Sequence, residues 1–426
     1  MQSGKECLRV VGGRRLVGTT RPGGAKNAIL PILAATVLTR ETCVIRGVPA
    51  IRDVQVMIEI LRRLGVKVRQ EEDASGLVLS VSAADLDSWE VREDLTREMR
   101  SSIFLMGPLL GRLGRVRMAY PGGCAIGPRP IDYHLRGLAH MGARVEERHG
   151  YIEAEAAHLL GREIYLDFPS VGATENLMMA AVLARGTTII RGAAREPEIT
   201  DLQNLLNAMG ARVRGAGLDV IRVEGVGRLH GCEHTVIPDR IEAGSLMAAA
   251  AITGGDVRLE GVIAEHVEAV SAKLTEMGAE IVDEGDGAIR VRGPKRLKAV
   301  DVKTLPYPGI PTDMQPQFMA LATVADGTSV ITETIFENRF KQAEELRRMG
   351  AQIKVVGHTA VVQGVDRLSG AAVSAPALRE GMALVLAGLV ADGETRVYGT
   401  EHIDRGYERL EAKLRDLGAD VERIVE

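Results

Sequence analysis

Two features of this 426-residue chain could carry chemistry: a thiol in a glycine-rich segment, and cations at places where helix geometry disfavours them. Between Tyr120 and His134 the chain carries three glycines and three prolines, a composition that forbids helix or central strand. A long loop of this kind is often a lid or binding loop. Cys124 sits in its glycine-rich part and Arg129 follows five residues later. An exposed thiol beside a cation can be acidic and reactive, although a single cysteine also suits a small core position. Elsewhere, Lys26, Arg100 and Arg379 fall at the starts of apolar segments read below as helices. A cation there opposes the helix dipole, so each suggests a bound anion rather than a cap. Thr312 and Asp313 begin another such helix as ordinary cap residues, and Thr174 or Glu175 could cap a further one. Arg339 and Arg405 offer bidentate forks for carboxylate or phosphate, or surface ion pairs.

The elements that must position these residues form a repeat. Six times a helix ends in Leu or Met followed by glycine and then alternating strand residues, at Gly65, Gly142, Gly210, Gly278, Gly350 and Gly418. These glycines recur about every 70 residues and read as left-handed helix C-caps. A second helix, apolar nearly all round and therefore buried, recurs at the same period. Its copies are read at 27–38, 101–113, 175–185, 243–254, 315–326 and 382–392. Helices such as the one containing Glu344 and Arg348 have polar faces and should lie outside. The period is too long for a simple solenoid, so two domains of three units each fit better. If three buried helices run together, their starts gather on one face and present N–H groups to an anion.

Composition narrows the function. Aromatics are only 3%, so the core must be aliphatic and alanine-rich. The net charge is −4 with no basic block, which disfavours a nucleic-acid partner. The longest apolar helix candidates have about half the roughly 20 residues a membrane span needs, and the start lacks an apolar signal segment, so a cytoplasmic protein is expected. Four scattered cysteines without a CxxC pair indicate neither a zinc site nor a disulfide framework. No Walker loop, dinucleotide fingerprint or Ser-His-Asp set is present, and no cofactor or metal is expected.

Several strings together resemble the UDP-N-acetylglucosamine 1-carboxyvinyltransferase family. They are Gly24–Ala28, Pro121–Asp132, Ser170–Asn176, Arg195–Ile199, Pro311–Gln315, Phe336–Phe340 and His402–Glu408. The Cys124 loop separates this family from its sister, the shikimate enolpyruvyl transferase. The resemblance implies an α/β fold of two inside-out α/β barrel domains, each of three pseudo-repeats. It places residues 1–25 and 237–426 in one discontinuous domain and 26–236 in an inserted one, with the active site in the cleft between them. It implies transfer of the enolpyruvyl group of phosphoenolpyruvate to the 3-hydroxyl of UDP-N-acetylglucosamine, the first committed step of bacterial peptidoglycan synthesis.

Roles follow from the same resemblance. Cys124 matches the proton donor and the target of covalent phosphoenolpyruvate adduction and of fosfomycin. Asp313 matches the general base. Lys26, Asn27, Arg129, Arg339, Arg379 and Arg405 would surround phosphoenolpyruvate. Asn27, Arg100, Arg129, Pro130, Ile131, Asp132, Tyr133, His134, Ser170, Val171, Gly172, Asp313 and Ile335 would hold the sugar nucleotide. Two positions depart from the family pattern. Gly23 stands where serine is frequent, and Glu380 follows Arg379, where it could pair with that arginine or repel an anion. A paralogue that binds in the same cleft without turnover is the alternative, and Glu380 is the feature in its favour.

Overall fold

The six apolar segments become helices because alanine, leucine and methionine lose little conformational freedom in a helix and leave small surfaces that pack closely. In a computed structural model, which describes residues 5–73, 76–122 and 131–426, these helices form the centres of two units. One, here the inserted unit, holds 24–122 and 131–237. The other, the terminal unit, holds 5–23 and 238–426.

The inserted unit is built on the helices Lys26–Ala35, Met106–Leu113 and Val171–Ala181. The terminal unit is built on Arg240–Ile252, Gln315–Thr323 and Leu378–Gly388. All 13 residues of Arg240–Ile252 are buried, so this helix has no solvent face. Its Gly244 lies so close to Met314 that an added Cβ would sit 3.0 Å from the sulfur. Asp239 caps it, accepting from the Ile241 amide at 2.8 Å and the Glu242 amide at 3.0 Å. Truncating a core leucine such as Leu384 to alanine would cost about 2–5 kcal/mol.

Around each trio lie three four-stranded sheets of one pattern. A short edge strand runs parallel to its neighbour, and two further strands continue antiparallel. Val302–Lys303, Thr328–Thr332, Thr359–Gln363 and Gln352–Val356 are one example. Strand residues alternate between core and solvent, as Thr188 and Ile190 show against their neighbours in Thr187–Arg191. Helices inside and sheets outside make each unit an inside-out α/β barrel of three repeats. In the last sheet the inner strand Glu6–Val11 comes from the start of the chain, pairing with both Glu394–Tyr398 and Asp420–Val425.

The glycines that marked the repeat all take positive φ, between 90° and 100°. The outer helices, such as Arg52–Arg63, keep a polar face to solvent as read. Four of the six buried helices begin and end earlier than their apolar runs: Leu378–Gly388 rather than 382–392, for example. Polar residues at their starts are helical and buried, and the last apolar residues belong to the turn into the strand. Two copies are interrupted. Arg100–Leu105 and Thr312–Met314 are 3₁₀ turns that lead into α-helix.

Candidate active site

In the terminal unit, Asp313 is the centre of a charge cluster. Its Oδ1 accepts from Arg339 Nη2 at 2.9 Å, and its Oδ2 accepts from Arg379 Nε at 3.2 Å. Both guanidiniums are buried, whereas the Asp313 side chain keeps 26% exposure. The carboxylate is therefore held by two cations and still open to a ligand. Neither Thr312 nor Asp313 takes a cap position, which falls to Pro311 for the 3₁₀ turn and to Met314 for the helix. Instead Thr312 Oγ1 donates to Glu333 at 2.9 Å and accepts from Arg339 Nη1 at 3.2 Å. Buried Glu333 also accepts from the amides of Ile335 and Phe336, which fixes the turn that delivers Arg339.

Glu380 is buried and lies 3.7 Å from Arg339 Nε, so its ion pair is with Arg339 and not with Arg379. Arg379 points away from the residue that follows it, because consecutive helical side chains diverge by about 100°. Burial opposes the charge on Arg339, but Asp313 and Glu380 more than offset this and hold it above its ordinary pKa. Arg379 is the largest fully buried side chain among the described residues, and its guanidinium lies 5.2 Å over the Tyr407 ring. Its two terminal nitrogens make no well-formed hydrogen bond among the described residues, and the Tyr407 hydroxyl is the neighbour that engages the guanidinium loosely. Leaving such donors unmet is costly, so their orientation suits an anion. Arg405 is half-buried in the turn before Tyr407.

In the inserted unit the charges are sparser. Lys26 is the first residue of its helix and its Nζ lies 2.9 Å from Asp53 Oδ2, with both side chains largely buried. Asn27 follows, half-buried, and Arg100 begins its 3₁₀ turn. Asp132, Tyr133 and His134 open the helix Asp132–His140 rather than ending a loop. Ser170, Val171 and Gly172 open another, and the structure brings the two segments together. A Cβ on Gly172 would lie 3.3 Å from the His134 ring.

Asn176 fixes that ring. Its Oδ1 accepts from the Gly107 amide at 2.7 Å, so its Nδ2 must donate, to Ile103 at 3.1 Å and to His134 Nδ1 at 2.9 Å. The neutral imidazole then carries its proton on Nε2. Ser170, not Thr174 or Glu175, caps this helix. Thr174 donates to the Ser170 carbonyl and accepts from the Ala194 amide. Glu175 is fully buried, and neither of its oxygens has a hydrogen-bond partner among the described residues. Burial first, and then Glu198 and Glu196, raise its pKa well above the usual carboxylate value.

Of the remaining expected residues, Ile131 is buried, and Ile335 is held by Glu333. Cys124, Arg129 and Pro130 lie outside the described residues. Asp53, Glu333 and Asn176 were not singled out from sequence. Asn176 stood within a quoted string, but nothing local marks Asp53 as the partner of Lys26. At the departure Gly23, the amide donates to Glu242 at 2.7 Å, and an added Cβ would lie 3.3 Å from that carboxylate. Among the described residues there is no cluster of His, Cys, Asp and Glu suited to a metal, and no helix long and apolar enough to cross a membrane.

Comparison with known proteins agrees with this architecture. The family profile of EPSP synthase (3-phosphoshikimate 1-carboxyvinyltransferase) matches residues 10–414. UDP-N-acetylglucosamine 1-carboxyvinyltransferase 1 of Symbiobacterium thermophilum is 68% identical over 97% of this chain and 94% of its own length. The protein of that name from Caldanaerobacter subterraneus subsp. tengcongensis is 55% identical over 96% and 97%. The crystal structure of the enolpyruvyl transferase NikO from Streptomyces tendae superposes with a TM-score of 0.88 at 26% identity, covering 99% of this chain and 100% of that one. The chain belongs to the EPSP synthase family and, within it, to the UDP-N-acetylglucosamine 1-carboxyvinyltransferases.

Proposed function

We propose that this protein transfers the enolpyruvyl group of phosphoenolpyruvate to the 3-hydroxyl of UDP-N-acetylglucosamine, releasing phosphate. The observation that carries the reading is Asp313, gripped by Arg339 and Arg379 yet still accessible. The relatives' names supply the two substrates.

Asp313 takes the proton of the sugar hydroxyl as its oxygen bonds to the central carbon of phosphoenolpyruvate. Cys124 protonates the methylene carbon. The resulting ketal loses a methyl proton, and its carbon–phosphate oxygen bond breaks, restoring the double bond in the product. Arg379 offers its two terminal nitrogens to the anion, with Lys26, Arg129, Arg339 and Arg405 completing the charge complement. Arg100, Arg129–His134, Ser170–Gly172 and Ile335 hold the nucleotide. Glu380 is engaged by Arg339, which removes the feature that favoured binding without turnover.

Mass spectrometry of the nucleotide tests this reading. After incubation with phosphoenolpyruvate it should gain the mass of an enolpyruvyl group, with one phosphate released per product. Unchanged nucleotide, despite measurable binding, would sink it. Fosfomycin should add covalently to the unmodified chain but not to Cys124→Asp. An adduct on that variant would remove Cys124 as the target.

A further inference from the structure

Two cysteines outside the proposed reaction lie side by side in the inserted unit. The edge strand Glu233–Thr235 runs parallel to Thr42–Val48, with Glu233 opposite Val44 and His234 opposite Ile45. Cys232 and Cys43, one residue earlier on each strand, continue that register. The Val44 amide donates to the Cys232 carbonyl at 2.8 Å. One residue further back, a Cβ on Gly231 would lie 2.3 Å from the Thr42 carbonyl oxygen, so the two chains stay in contact. Alternation puts Cys43 and Ile45 on the inner face, where both are fully buried. Cys232 is half-buried and packs against the same core. Adjacent strands lie about 4.8 Å apart, within the Cα separation of roughly 4.4–6.8 Å that a disulfide spans.

We propose that Cys43 and Cys232 are a redox-active pair that a low-molecular-weight disulfide oxidises to an intramolecular disulfide, joining the first strand of the inserted unit to its last. The accessible Cys232 thiolate attacks one sulfur of the small disulfide, forming a mixed disulfide and expelling one small thiolate. Cys43 then gives up its proton and attacks Cys232 Sγ, releasing the second. Two protein thiols are oxidised and one small disulfide is reduced to two thiols. The environment suits that order. The Cys43 thiol, then His234 and His230, lower the pKa of Cys232 despite partial burial, whereas Cys43 is held protonated beside Cys232 by contact and burial. The bond would clamp a seam already closed nearby by the Ala25 amide and the Ile237 carbonyl at 2.8 Å.

The test uses the full chain. It is incubated with oxidised glutathione, freed of excess, alkylated after unfolding and digested without reduction. The expected product is a linked peptide pair containing Cys43 and Cys232, lost on dithiothreitol treatment. The melting temperature should be higher in the oxidised form by about 5 °C or more. In Cys43→Ala, Cys232 should instead keep glutathione and the melting shift should vanish. The proposal is overturned if Cys43 remains fully alkylated while Cys232 carries only glutathione. It is equally overturned if Cys232 links to Cys7 or Cys124 instead.

Discussion

The two units share one fold and differ in how they manage charge. In the terminal unit a single carboxylate, Asp313, is shared by two buried arginines, and Glu333 and Glu380 surround them. In the inserted unit one lysine is matched by one aspartate, Lys26 with Asp53, and beside the charged Arg100 and Asp132 the expected site there holds an amide, an imidazole and a capping serine. The first arrangement is dense and charged with both guanidiniums buried, which strengthens the electrostatic interactions in it. The second is neutral and directional around His134, where Asn176 fixes the ring. The same repeat can thus supply transition-state stabilisation on one set of helix starts and recognition on another.

The largest expected effect is at Asp313. Asp313→Ala should lower kcat by about 10³-fold or more while leaving nucleotide affinity within a few-fold. Its loss also strands two buried guanidiniums, at about 3–5 kcal/mol, so Asp313→Asn, which keeps the shape, separates catalysis from folding. Near-normal turnover in a folded Asp313→Asn protein would end the charged-versus-neutral contrast. Next comes Arg379→Lys, which keeps the charge but loses the fork. It should cut kcat/KM for phosphoenolpyruvate by about 10²-fold and spare the nucleotide. An equal loss for both substrates would mean that Arg379 supports the fold rather than the anion.

The inserted unit should respond differently. Asn176→Ala frees the His134 ring and leaves the Gly107 amide unmet, at about 1–3 kcal/mol. Steady-state kinetics should show KM for the nucleotide rising about tenfold with kcat nearly unchanged. A fall in kcat alone would blur the division of labour. The smallest effect concerns Glu175. Its folded-state pKa is raised, so its contribution to stability is full below the ordinary carboxyl value of 4.5 and is lost as pH rises through the folded value. Denaturant midpoints should therefore fall as pH rises above the ordinary carboxyl value, and Glu175→Gln should flatten that decline. An unchanged slope would place the pH dependence elsewhere.

The fold was legible because its signals are local and repeated. A glycine forced to positive φ after each outer helix, and an apolar run before each strand, recur often enough to define the unit. Lys26 and Arg379 stood out at helix starts because a cation there needs a reason, whereas Asp313 was marked only by the family resemblance. Partners distant in sequence were not. Asp53 looks like any acid in a first helical turn, and Glu333 like any strand-end glutamate. The cap assignments for Thr312 and Asp313 failed for the same reason: arginines far along the chain outcompete the helix amides for their oxygens. Glu380 was read against its sequence neighbour Arg379, when helix geometry turns it towards Arg339.

Phosphate release is the most direct test of the central claim that a sugar hydroxyl adds to phosphoenolpyruvate. The purified chain is given phosphoenolpyruvate with UDP-N-acetylglucosamine, with its 3-deoxy analogue, or alone. Addition–elimination predicts release only with the intact sugar nucleotide. Equal release with the 3-deoxy analogue, or from phosphoenolpyruvate alone, would contradict it.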